Sequence, residues 1–111
     1  MNTMTTQASI QAPLKAFTQT VRNLYGERLE RIVLFGSFAR GTAHENSDVD
    51  VAVVLRGAVQ PMEEIDAIVA ATYNINLEYG ILLAVYPVAA ERYYDEQSPL
   101  LINIRKEGLV V

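Results

Sequence analysis

The sequence predicts an α/β (α+β) protein, a small mixed three-stranded sheet flanked by helices. Three observations carry that expectation. Short apolar runs stand at 31–35, 48–55 and 81–88, each too short for a stable helix and rich in β-branched residues. Around them lie stretches whose apolar residues recur every three or four positions, the spacing of a helix packed by one face. The link between the first two runs is too short for the helical crossover that parallel neighbours need, so those two strands pair antiparallel.

Composition bounds the rest. At 111 residues the chain reads as one small domain, 1–111, able to bury roughly 65% of its unfolded surface. Half of its residues are hydrophobic, which suits a packed core and not a disordered chain. There is no cysteine, which excludes a disulfide framework and thiolate zinc and fits a reducing cytoplasm, the expected location. No apolar run approaches the ~20 residues that span a bilayer, so no membrane association is expected. The N-terminus has no basic residue ahead of an apolar core, so it is not read as a secretory signal. Net charge is −4 and no block of Lys or Arg exists, so nucleic acid is not the expected ligand.

Residues 1–8 are small and polar and read as frayed. From about Pro13, the positions Leu14, Phe17, Val21, Leu24 and Tyr25 form one helical stripe, with Gly26 as the exit. Arg31–Phe35 is a buried strand ending at Gly36. Ser37–Arg40 makes one helical turn, Gly41 breaks it, and 42–47 is a polar loop. Asp48–Leu55 is the second strand, with Val49, Val51, Val53 and Leu55 on one face. Asp48, Asp50, Ala52 and Val54 take the other, so both faces are covered. Pro61 opens a helix with acids in its first turns, which suits the positive end of the macrodipole. Its buried stripe reads as Met62, Ile65, Ile68, Val69, Thr72 and Ile75, and Gly80 ends it. Ile81–Val88 is the third strand, stopped near Pro87. A short helix over 89–97 follows. Ser98-Pro99 caps a last helix with Leu100, Leu101 and Ile104 inward, closed by Gly108. The tail Leu109–Val111 reads as a frayed end, a docking strand or part of a partner surface.

The chemistry concentrates in RIVLFGSFARGTAHENSDVDVAVVL, residues 31–55. Residues two apart on a strand share a face, so Asp48 and Asp50 project together. Paired carboxylates suit a hard divalent cation such as Mg2+, which completes its shell with water and phosphate oxygens. Gly36-Ser37 opens a helical turn whose outward N–H groups suit a phosphate. Glycine allows close backbone approach there, and the Ser37 hydroxyl can donate. His44, the only histidine, sits in the loop between the two halves and reads as solvent-facing. Tyr79, Tyr93 and Tyr94 read as packing or interface residues, with stacking of one on a nucleotide base as the alternative.

Gly36-Ser37, ten residues, then Asp48-Val49-Asp50 resembles the signature of the nucleotidyltransferase superfamily, the group that includes kanamycin nucleotidyltransferase and DNA polymerase beta. With the flanking GSFARG it is most similar to the minimal nucleotidyltransferase (MNT) branch, including the MNT antitoxins of HEPN/MNT toxin–antitoxin pairs. The resemblance implies the nucleotidyltransferase fold, ATP or another nucleoside triphosphate as substrate, and two Mg2+ ions. It implies Gly36 and Ser37 at the β- and γ-phosphates, Asp48 and Asp50 as catalytic metal ligands, and Arg40 facing the phosphates. The family's third carboxylate has no equivalent on the third strand, and Glu78, just before it, is the nearest candidate. The implied reaction moves AMP from ATP to a tyrosine of a helical HEPN toxin bound in a hetero-oligomer. Two alternatives stand beside it. One is a module that neutralises its partner by binding; the other is a small-molecule nucleotidyltransferase, against which the missing acceptor domain speaks.

Overall fold

The structure is a computed structural model that describes residues 7–111; residues 1–6 of the stretch read as frayed lie outside the described residues. Gln7–Ile10 form a 3-10 turn leading into helix α1 (Gln11–Tyr25). Strand β1 (Leu29–Phe35), the single-turn helix α2 (Ser37–Arg40), strand β2 (Val49–Leu55) and helix α3 (Pro61–Tyr79) follow. Strand β3 (Leu83–Ala89), helices α4 (Ala90–Asp95) and α5 (Pro99–Glu107), and strand β4 (Leu109–Val110) complete the order. No helix among the described residues is long and apolar enough to cross a membrane.

The sheet is mixed, as expected, but it has four strands in the order β3-β2-β1-β4. β1 and β2 are antiparallel, whereas β2 and β3 run parallel, joined by the crossover through α3. The extra strand is the tail. Val110 and Leu109 pair with Val33 and Leu34 of β1, and the Val111 N–H donates to the Ile32 carbonyl at 2.9 Å. Two residues are too few to show an alternating pattern, so only the partner strand makes this one visible. β3 runs through Pro87 to Ala89 instead of stopping there. It is an edge strand, where a residue lacking an N–H need not break the ladder.

Both faces of the sheet are covered, so two core layers form. Val49, Val51, Val53 and Leu55 of β2 pack with Phe17 and Val21 of α1 and Ile68 and Ile75 of α3. Ala52 and Val54 face the other way, onto Tyr93, Leu101 and Ile104. The alternation read from the sequence is thus the alternation in the core. Three helical stripes differ from expectation. Met62 and Val69 of α3 are exposed, as are Leu24 of α1 and Leu100 of α5. A helix among the described residues meets the sheet along one arc only, so apolar residues outside that arc stay at the surface.

α1 and α3 are also tied by a polar link. The Tyr25 hydroxyl donates to Glu64 Oε1 at 2.9 Å. Burial, together with the Glu64 bond and charge, pushes the Tyr25 pKa up to about 12. The unfolded chain ionises a tyrosine near ~10. The folded state therefore keeps a proton that the unfolded state loses, and this stability is full below the unfolded value and lost as pH climbs towards the folded one. Tyr25→Phe should lower stability by about 1 kcal/mol at neutral pH through the lost hydrogen bond. It should also flatten the alkaline fall in melting temperature; parallel curves for the two proteins above pH ~10 would dismiss this role.

Candidate active site

The site lies where β1 ends and β2 begins. Asp50 is the one residue of β2 that is not fully buried. It sits opposite Phe35 of β1 and Ala84 of β3, so its backbone is held on both sides. Asp48 lies one residue ahead of β2 and not inside it, and is exposed. The Val49 N–H donates to the Leu82 carbonyl at 2.8 Å, which anchors the strand's mouth between the two acids.

Gly36 makes the arrangement possible. Its φ is +75° with ψ −153°, a backbone state reached at ease only without a side chain. Its Cα faces Asp50, and a Cβ placed there would overlap the Asp50 carboxylate. Backbone and carboxylate are thus packed together at the turn. α2 follows directly, with the Arg40 N–H bonded to the Gly36 carbonyl at 3.1 Å and the Thr42 N–H to the Ser37 carbonyl at 2.9 Å. Phe38 is buried in the core with Phe17 and Ile10 and pins this turn to the domain. Ser37 is half-buried and Arg40 exposed.

Charge sharpens the picture. Burial raises the Asp50 pKa above the ordinary carboxylate range, the Asp48 charge raises it further, and Arg40 opposes both. The three side chains expected from the sequence are therefore close enough to act on one another. Two clefts open beside them. One, of about 290 Å³, holds Asp50, Gly36 and Arg40 with Asn103 and Glu107 of α5. The other, of about 520 Å³, holds Asp48 and Ser47 with Phe38, Tyr79 and Leu82. The two aspartates stand on either side of the divide. A larger cavity, of about 670 Å³, lies at the far ends of β2 and β3 beside Arg56 and Arg92, away from the acids.

Asn103 and Glu107 were not legible as site residues. Arg40 reaches Glu107 at 3.7 Å between exposed side chains, a contact made only because α5 packs on the Ala52–Val54 face. No spacing in the chain announces it. Glu78 lies exposed on the last turn of α3 and lines neither acid-bearing cleft. Among the described residues no group of three or more His, Cys, Asp or Glu gathers as a metal centre, so Glu78 does not complete a triad with the two aspartates. His44 is exposed in the loop; its backbone N–H donates to Ser47 Oγ at 2.8 Å. Tyr93 and Tyr94 meet edge to face, 5.0 Å between ring centroids, and Tyr94 donates to Glu30, which makes them packing residues away from the acids.

The donor set nevertheless fits a hard cation. Two carboxylates, one raised in pKa by burial and then by the other's charge, gain from a positive ion between them, and a Mg2+ ion commonly takes only one or two protein carboxylates.

Comparison with known proteins identifies the family. The family model described as "Nucleotidyltransferase domain" matches residues 14–111. Three proteins of Methanocaldococcus jannaschii, each named "Putative protein adenylyltransferase", are similar to the chain. One is 33% identical over 100 residues, covering 88% of this chain and 93% of that protein. A second is 32% identical over 71 residues, covering 64% and 71%. A third is 45% identical over 96 residues, covering 86% of this chain and 56% of that longer protein. A solved structure titled as a "putative nucleotidyltransferase" from Sulfolobus solfataricus is a looser likeness, with 17% identity, 94% and 86% coverage and a TM-score of 0.41. With a family match that begins in α1 and runs through the acids to β4, this chain belongs to the nucleotidyltransferase family, among its minimal members.

Proposed function

We propose that the chain transfers AMP from ATP to a tyrosine of a helical HEPN-type partner and so acts as its antitoxin. The observation that carries the nucleotide half is the Asp50 carboxylate seated against Gly36, with Asp48 at the same strand mouth and α2 beside them. The names of the similar proteins favour a protein acceptor, and the resemblance to MNT antitoxins favours this partner.

In this reading Asp48 and Asp50 hold Mg2+, which when bound offsets phosphate charge and polarises the transferring phosphoryl group. Gly36 lets the triphosphate approach the backbone, and the Ser37 hydroxyl donates to a phosphate oxygen. Arg40 supplies a cation at the Asp50 cleft. Its exposed pair with Glu107 is worth little, so exchange of that partner for a phosphate is cheap. The two clefts offer separate places for donor and acceptor on either side of the aspartates. The acceptor oxygen bonds to the α-phosphorus as the bond to the departing pyrophosphate breaks, and a proton is released.

Incubation with ATP labelled at the α-phosphate, Mg2+ and the helical partner should place label on a partner tyrosine. A second reading is neutralisation by binding alone, favoured by the lack of a third carboxylate among the described residues. A silenced but unlabelled partner would select it.

A further inference from the structure

We propose that the outer face of α3 is a docking surface for a basic amphipathic helix of a partner protein. Met62, Val69, Tyr73 and Leu77 fall within about 80° of helical arc at 3.6 residues per turn. They are 70%, 43%, 56% and 64% exposed. The face that α3 buries is carried by Ile68, Thr72 and Ile75, so the stripe is a second apolar face that nothing among the described residues covers. Val69, Tyr73 and Leu77 follow one another at four-residue steps, a ridge of the kind that seats in the groove of another helix. It offers no strand edge, so a helix fits it better than an added strand.

The charge around the stripe selects the partner. α3 contains Glu63, Glu64, Asp66 and Glu78 and no Lys, Arg or His. Glu64 is engaged by Tyr25 and Arg28. Glu63, Asp66 and Glu78 form no ion pair among the described residues. A second copy docking by the same face would set acids against acids with no cation on either helix to answer them. A helix with an apolar stripe flanked by Lys or Arg meets both the ridge and its charge. Tyr79, two residues past the end of the stripe and on another side of the helix, lines the Asp48 cleft with Leu82. The docking itself does not depend on the transfer reading, and a chain that docks but moves no AMP would keep it.

The test uses a dye-labelled synthetic peptide with a leucine stripe flanked by lysines, and fluorescence anisotropy with the full chain. The lysine peptide should bind, and its glutamate-flanked counterpart should not. The double substitution Tyr73→Ser with Leu77→Ser keeps every charge and should raise Kd about tenfold or more, which is ~1.4 kcal/mol, with melting temperature unchanged. Absent binding, or equal affinity in the double variant, overturns the proposal. So does a dimer in sedimentation that the same variant dissolves, since the occupant would then be a second copy.

Discussion

Asp50→Asn is expected to end nucleotidyl transfer and, at the same time, to raise the melting temperature of the metal-free chain. Loss of activity on the order of 10²–10³-fold or more follows if Asp50 holds charge that the reaction needs in place. The stability gain comes from relief of the cost of a half-buried anion beside another. Burial and the Asp48 charge raise the Asp50 pKa, so the folded state binds this proton more tightly than the unfolded one. Below the ordinary carboxylate range both states are protonated and no penalty exists. As pH rises from the ordinary carboxylate range through the raised folded value, the unfolded state loses this proton first and stability falls; above the folded value the penalty is complete and constant. Asparagine has nearly the same shape and no charge to lose. The gain at neutral pH should be about 0.5–2 kcal/mol, the range of single stabilising substitutions. It should shrink towards acid pH, where wild type is already neutral at this position. Added Mg2+ should narrow the gap from the wild-type side only. Thermal melts of both proteins between acid and neutral pH, with and without Mg2+, decide the matter; an asparagine variant less stable at pH 7 would show that Asp50 serves the fold.

Gly36→Ala should be among the most damaging single changes in the chain, although it adds one methyl group. The backbone there, φ +75° with ψ −153°, costs a side-chain-bearing residue about 1–3 kcal/mol. The new Cβ also overlaps the Asp50 carboxylate, so either the aspartate or the β1–α2 turn must move. A combined loss of about 2–4 kcal/mol in urea unfolding is expected, with transfer lost as Asp50 is displaced. The two causes can be separated in a double-mutant cycle. In an Asp50→Ala background the overlap is gone and only backbone strain remains, so Gly36→Ala should cost less there. Equal cost in both backgrounds would remove the steric contact from the account.

These two residues lie fourteen positions apart, and their contact was not legible in the chain. What was legible is the type of each. A glycine ending an apolar run, a serine after it and two aspartates at a strand's mouth point to phosphate and metal by chemistry alone. The faces of β2 were equally plain, because strand periodicity is strict and any slip would turn Val49, Val51, Val53 and Leu55 out of their layer. Helix α3 is less legible. Apolar residues cover more than one of its faces, and periodicity cannot tell a face against the sheet from a face against a partner. Periodicity therefore places Met62 and Val69 inward, and the structure turns them out.

Local patterns reach only as far as the element they describe. By itself the sequence determined the order of most helices and strands and the antiparallel pairing of β1 with β2, and it named Asp48, Asp50, Gly36 and Ser37 as candidates for the site. Each depends on residue type and spacing within a few positions. Tertiary structure alone decided that the tail adds β4 and that Asp50 rests on Gly36. It also decided that α5 brings Glu107 to Arg40, that Glu78 stays apart from the aspartates, and which face of α3 the sheet leaves bare. Those outcomes join segments distant in the chain, and they are set by which surfaces the packed layers bury together, a quantity that no local spacing records.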